Sequence, residues 1–173
     1  MLKIIGGIIG IFIIASSGLA GNDWSINFYD EAQKLIQEFH EKEYEQLLKL
    51  DPKTKDFIEI DASFNAVVSK LNRRAFVLKI NDSSVKIDWS DYWEWAFWTV
   101  SKEEQEELIR KDSEYKEIYN EYLRLKEIKK QSVNETKIRN QLYKDNSETF
   151  YYIEEEFANK LKLLQKKVDK KRQ

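Results

Sequence analysis

Four tryptophans crowd one short stretch of this chain: Trp89, Trp93, Trp95 and Trp98. Tyr92 and Phe97 lie between them, and Asp88, Asp91 and Glu94 are interleaved. Aromatic faces beside carboxylates are the equipment of a site that binds or cleaves sugars. Rings stack on pyranoses, and a pair of acids about 5–9 Å apart handles the protons of glycoside hydrolysis. The same rings also suit a buried core, where large aromatics contribute most of the area, or a belt at the headgroup level of a bilayer. Trp89, Tyr92, Trp93, Trp95 and Trp98 are therefore the first candidates for a ligand or partner surface. An enzyme built here would need two of Asp88, Asp91 and Glu94 to converge across a cleft.

Three further groups bear on chemistry. Tyr115, Tyr119 and Tyr122 recur at helical spacing, an edge that serves helix packing or a partner's wet rim. The C-terminal stretch holds Lys160, Lys162, Lys166, Lys167, Lys170, Lys171 and Arg172 against Asp169. Lysines in a last helical turn complement the helix dipole, and Lys166, Lys167, Lys170, Lys171 and Arg172 also suit contact with an anionic surface. His40 is the single histidine, flanked one turn back by Ile36 and Gln37. A metal site would want an acid or a second histidine there, so His40 reads as a solvent-facing helix residue. The chain has no cysteine, which removes thiolate chemistry, disulfide scaffolding, zinc–sulfur sites and a lipidated cysteine. No catalytic, metal-binding or cofactor-binding residue is assigned.

The distribution of glycine removes further classes. All five glycines (Gly6, Gly7, Gly10, Gly18 and Gly21) lie in the first 21 residues, and the only proline is Pro52. Phosphate-cradling loops, dinucleotide fingerprints, nucleophile elbows and EF-hand loops all need glycine where the backbone turns at positive φ or approaches a ligand. A chain this poor in breakers, with 35% charged residues, predicts long helices. Its net charge of −2 offers no bulk attraction to nucleic acid.

The first segment reads as an export signal or an anchor. Lys3 and the α-amine precede an uncharged run from Ile4 to Gly21, roughly 27 Å of helix and at the short edge of what spans a bilayer. Gly18-Leu19-Ala20 suits cleavage as a signal peptide, whereas Gly6, Gly7 and Gly10 suit a retained single-pass anchor. The positive-inside rule places the rest of the chain on the periplasmic or extracellular side; cleavage would make it a secreted protein. Residues 1–21 are thus a signal or anchor, and residues 22–173 one extracytoplasmic helical domain.

Within that domain a first helix is expected over about 26–50, with Phe28, Ala32, Leu35, Ile36 and Phe39 on one face and Asp51-Pro52 as its stop. A second is expected over about 61–72. The stretch 75–89 reads as a small central β-hairpin about Asn81-Asp-Ser-Ser84. Residues 93–99 suit either a third strand or a helix begun by Ser90 or Asp91. Ser101 and Glu104 form a capping box that opens a long helix, with a restart near Ser132 and Glu135 and a break at Asp145-Asn146-Ser147 that Glu148 is placed to cap. The final stripe, Phe150, Ile153, Phe157, Leu161, Leu164 and Val168, is the cleanest in the chain. Residues 101–171 are thereby expected to form a long antiparallel helical hairpin.

The fold class that follows is mainly α, an apolar start followed by a helical domain. The short tail, anchor and extracytoplasmic helices resemble the layout of phage inner-membrane spanins and envelope accessory proteins, in architecture rather than homology. The tryptophan-rich middle departs from a plain spanin. Frequent Lys, Ile, Asn and Glu point to an AT-rich, bacterial or phage genome. The expected function is a non-enzymatic, membrane-tethered interaction protein of the cell envelope, held by residues 4–21, without cofactor. Its helices would bind a protein partner or a second copy of the chain. The alternative is an exported module whose Trp-rich cluster holds a glycan or small ligand, and a carboxylate-based hydrolase is the third reading.

Overall fold

The computed structural model describes residues 23–82 and 88–173, and among these every regular element is helical. Helix α1 runs Asp23–Leu50, a 3-10 turn covers Pro52–Thr54, and α2 runs Lys55–Ile80. The short α3, Tyr92–Ala96, precedes α4 (Lys102–Lys111), α5 (Ser113–Gln131), α6 (Val133–Asp145) and α7 (Ser147–Arg172).

Three boundaries have a clear local cause. Asp51 is extended (φ −147°, ψ 104°) ahead of Pro52, and its Oδ1 accepts from the Lys53 N–H at 2.9 Å, so α1 stops and the chain reverses. Ser101 and Glu104 form the expected capping box at 3.2 and 2.9 Å. Asp112 breaks the following helix: it is extended, and its carboxylate accepts from the Tyr115 N–H at 2.7 Å to start α5.

Two arms rise from one base. In the first, α7 lies antiparallel along α1. The ion pairs Lys42–Glu156 (2.5 Å), Glu38–Lys160 (3.3 Å) and Glu31–Lys167 (3.2 Å) mark the register, and Phe39 stacks on Phe157 with 4.8 Å between centroids. Exposed pairs of this kind contribute about 0–1 kcal/mol each, whereas each fully buried Leu, Val or Phe contributes about 1.5–3 kcal/mol. The buried residues Phe157, Leu161, Leu164 and Val168 therefore hold the arm, and the charges choose its register. In the second arm α2 packs on α5 around Leu71, Ala75 and Tyr115, with α4 folded beside them. Arg74 clamps Asp112 through two bonds of 3.1 and 2.6 Å. A third cluster, Tyr44, Leu47, Phe57, Ile58 and Phe150, forms the base.

The structure corrects several expectations. The second helix extends to Ile80, so residues 75–80 are helical: Ala75 and Phe76 continue the buried stripe of Val67 and Leu71 and are themselves buried. Most of the expected β-hairpin beyond them, 83–87, lies outside the described residues. The stretch 93–99 begins as a helix, with Asp91 accepting from the Trp93 and Glu94 N–H groups. The expected hairpin over 101–171 is divided differently. Helix α6 carries the chain across the base, so that α5 packs chiefly on α2 and α7 chiefly on α1. Glu148 does not cap α7 with Asp145: Asn146 is the N-cap residue, and its side chain bonds back to the Leu142 carbonyl while Asp145 accepts from Gln141. Ser132 begins α6 without a side-chain capping bond.

No helix among the described residues is long and apolar enough to cross a membrane. The signal or anchor over 1–21 lies outside the described residues.

Candidate functional site

Between the arms, α1 and α2 enclose a groove of about 370 Å³. Gln33, Ile36, Gln37, His40, Glu41 and Tyr44 form its α1 wall, the one-turn spacing of a single helix face. Ala62, Asn65, Ala66, Ser69 and Asn72 form the opposite wall on α2, and Phe97, Trp98 and Thr99 close one end. The space exists because α2 presents small residues at 62, 66 and 69 where a packed helix pair would carry leucines.

Both ends of the groove are stapled. Toward the base, the Tyr44 hydroxyl donates to Asp61 Oδ2 at 2.8 Å and accepts from Asn65 Nδ2 at 2.8 Å. Toward the other end, Gln33 donates to the Ala96 carbonyl at 2.9 Å and accepts from the Ser69 hydroxyl at 3.3 Å. Beyond it Tyr29 stacks on Phe76 at 3.9 Å between centroids, and Arg73 grips Asp30 through two bonds of 2.8 and 2.9 Å. The mouth is thus held open at a fixed width, which suits a preformed site.

A polar network runs behind the wall. Asp61 is only 1% exposed, and Lys129 from α5 and Arg139 from α6 converge on its carboxylate. Burial alone would push this acid up, but the hydrogen bonds from Lys129 and Tyr44 and the charge of Arg139 hold it below the usual carboxylate range. Burial, with the Asp61 charge beside it, pushes the Tyr44 phenol well above its ordinary value. Tyr143 donates to Glu43, whose other oxygen lies 3.1 Å from His40 Nδ1. The only histidine is therefore half-buried on the groove wall rather than facing solvent, and its ring packs near Phe39 and Tyr44.

The tryptophans separate into distinct roles. Trp95 is 1% exposed and its indole N–H donates to Gln165 Oε1 at 2.8 Å, a core residue with its polar atom satisfied. Trp89 is half-buried against Trp24 and Trp95, and Tyr92 is half-buried beside Trp93. Trp93 stacks on Phe97, and both rings are 42% exposed. Trp98 meets Phe76 edge-on, carries Lys79 over its face at 5.0 Å, and is the one member of the set that reaches the groove. Asp88, Asp91 and Glu94 are exposed and away from the groove; Asp88 and Asp91 accept from the backbone N–H groups of Ser90 and Trp93.

Tyr115 is buried between α2 and α5, and Tyr119 and Tyr122 are half-buried beside it, with Tyr122 against Phe64. Lys167 pairs with Glu31, while Lys166, Lys170, Lys171 and Arg172 are exposed. Among the described residues no three His, Asp or Glu side chains gather as a metal-binding group.

Sequence reasoning did not single out Gln33, Gln37, Asn65 or Ala66. The available signal was the small face of α2 and the amide-bearing face of α1. Only the reversal at Pro52 sets one against the other.

No protein-family model matches the chain, and no curated protein or solved structure is significantly similar to it.

Proposed function

We propose that this chain is a non-enzymatic binding protein, carried on the outer side of a membrane by residues 4–21, that holds an uncharged ligand in the groove between α1 and α2. The groove's lining carries the reading. Amides of Gln33, Gln37, Asn65 and Asn72 and hydroxyls of Ser69 and Thr99 surround an apolar floor with Trp98 and Phe97 at one end. Such a surface offers mostly neutral donors and acceptors beside a ring face, with Glu41 the single carboxylate on its wall, which suits a short glycan segment or a peptide strand better than an ion.

The test is a screen of neutral oligosaccharides and peptides against the full chain, read by tryptophan fluorescence, with Ala66→Phe as the blocking variant. Ala66 is exposed on the groove wall, so the larger ring fills the site and leaves the core untouched. A ligand that binds the wild type should lose about tenfold or more in affinity, with stability changed by no more than about 0.5 kcal/mol. A ligand held equally by both forms would place the site elsewhere.

A second reading, contact with a protein partner or a second copy, draws on Tyr151 and Tyr152, 59% and 60% exposed on α7. Tyrosine exposed in this way is common at interfaces. Sedimentation and cross-linking of wild type against a Tyr151→Ser/Tyr152→Ser double variant decide it; a monomer without cross-links in both would sink this reading.

A further inference from the structure

We propose that the C-terminal end of α7 is a foot that rests on anionic phospholipid headgroups beside the point where residues 4–21 leave the domain. The proposal rests on the tether reading above and is independent of the groove. Three observations carry it.

First, the α1–α7 register settles where the basic cluster lies. Residues 31 and 167, 38 and 160, and 42 and 156 pair across the two helices, so the last turn of α7 falls beside the first turn of α1. Trp24, next to the start of α1, packs on the cluster that contains Val168. The sequence leaves the start of α1 and the basic stripe far apart along the chain; the fold brings the first turn of α1 and the last turn of α7 to one end.

Second, the charge there is available. Lys160 and Lys167 are engaged with Glu38, Glu156 and Glu31, and Asp169 accepts from Gln165. Lys162, Lys166, Lys170, Lys171 and Arg172 are exposed and take part in no ion pair among the described residues. Residues 162, 166 and 170 lie on one stripe at four-residue spacing. Helix-dipole complementarity is satisfied by the last turn alone and gives no reason for a stripe that begins two turns earlier. The exposed carboxylates of Asp88, Asp91 and Glu94 lie on the adjoining segment, and Asp88 feels the charge of Arg172.

Third, apolar groups accompany the charge. Leu163 is 60% exposed beside Lys162 and Lys166, and the half-buried Trp24 and Trp89 lie at the same end. Basic residues flanked by aliphatic and indole groups are what the headgroup layer accommodates. A soluble polyanion would use the lysines and leave Leu163 without a role.

The experiment uses the full chain in lipid nanodiscs, either neutral phosphatidylcholine or the same lipid with phosphatidylglycerol. The native chain has no cysteine, so Gln173→Cys and, separately, Lys53→Cys carry a single fluorophore, and a headgroup-labelled lipid is the acceptor. The 28 residues of α1 set the two positions about 40 Å apart. Energy transfer from position 173 should be strong in anionic discs. It should fall to the neutral-disc level at about 0.5 M salt, where surface charge is screened, and in the variant carrying Lys166→Gln, Lys170→Gln, Lys171→Gln and Arg172→Gln. The label at position 53 should stay remote throughout.

Equal transfer in both lipids, or none at position 173 in a chain that resides in the disc, overturns the foot. Displacement of position 173 from the anionic disc by soluble polyphosphate at matched charge and ionic strength assigns the patch to a soluble polyanion and overturns the lipid assignment. A chain that fails to enter discs refutes the tether instead. Flotation of that same chain with phosphatidylglycerol liposomes but not phosphatidylcholine ones, lost in the quadruple variant, then supports the foot, and no flotation overturns it.

Discussion

Asp61 is a carboxylate with two cations and a phenol around it, buried where α2 meets α5 and α6. Removing it leaves Lys129 and Arg139 half-buried with one partner fewer, and such a loss costs about 3 kcal/mol. Asp61→Ala should lower the urea-unfolding free energy by about that amount with the m-value unchanged; a loss below about 1 kcal/mol would mean that solvent reaches both cations. The same groups set the pH window. The carboxyls of Asp61, Asp112 and Glu104 are held below their ordinary values, the latter two chiefly by Arg74 and Lys79. Their contribution is complete above the usual carboxylate range and is lost as pH falls through the depressed values. Burial pushes the phenols of Tyr29, Tyr44 and Tyr143 up, so their contribution is present below about pH 10 and declines as pH rises beyond it. Thermal unfolding against pH should show a flat maximum through neutrality with a fall on each side. Asp61→Asn should flatten the acid limb.

At the scale of elements, two caps that look alike in the sequence differ in what they join. Ser101 itself bonds only within its capping box on exposed backbone, whose partner Glu104 separately holds Lys79 of α2. Asp112 starts α5 and also holds Arg74 of α2 through two bonds. Ser101→Ala should cost about 1 kcal/mol, and Asp112→Ala about 2–3 kcal/mol, since a cap and a charge-assisted pair go together. Equal losses in chemical denaturation would show that the Arg74 pair contributes nothing. Caps and stripes of this kind were legible beforehand: Asp51-Pro52, Ser101-Glu104, and the run from Phe150 to Val168. The residues from 75 to 80 misled because Phe76, Val77 and Ile80 carry strand propensity, and propensity yields to burial; Leu71 and Ala75 share one helical face with their contacts on α5. The helical hairpin over 101–171 was misplaced for a different reason. Periodicity reports that a helix has an apolar face, never which helix covers it, and α6 is long enough at 13 residues to carry α7 across to α1. The groove was illegible on the same ground, because Ala62, Ala66 and Ser69 read as an ordinary helix face until α1 stands opposite.

At the scale of the whole molecule, the three buried clusters divide the chain into two arms and a base. One cluster joins α1, α3 and α7, another α2 and α5, and the third lies near the turn at Pro52. Along the groove the arms are linked by small side chains and a few polar contacts, and beyond one end by the buried Tyr29–Phe76 stack, with Phe76 edge-on to Trp89, whereas each arm is held internally by a larger buried aromatic and aliphatic cluster. That distribution predicts which motion is soft. Opening the arms about the base breaks Tyr29–Phe76 stacking, the Ser69–Gln33 bond and the Arg73–Asp30 clamp but leaves each arm's own cluster intact. Local opening of this kind costs less than global unfolding. Spin labels on Lys162→Cys of α7 and Lys116→Cys of α5 report the separation of the arms, both positions being exposed and the native chain free of cysteine. The wild type should give one narrow distance distribution. Asp30→Asn, which removes the charge from the clamp at a half-exposed pair and costs about 1 kcal/mol, should broaden that distribution toward longer distances while the helical circular dichroism is unchanged. A ligand that bridges Gln33 or Gln37 to Asn65 or Asn72 should narrow it again, because it contacts both arms only when they are closed. An unchanged narrow distribution in Asp30→Asn would mean that the base alone fixes the width of the groove, and the site would then be rigid rather than gated.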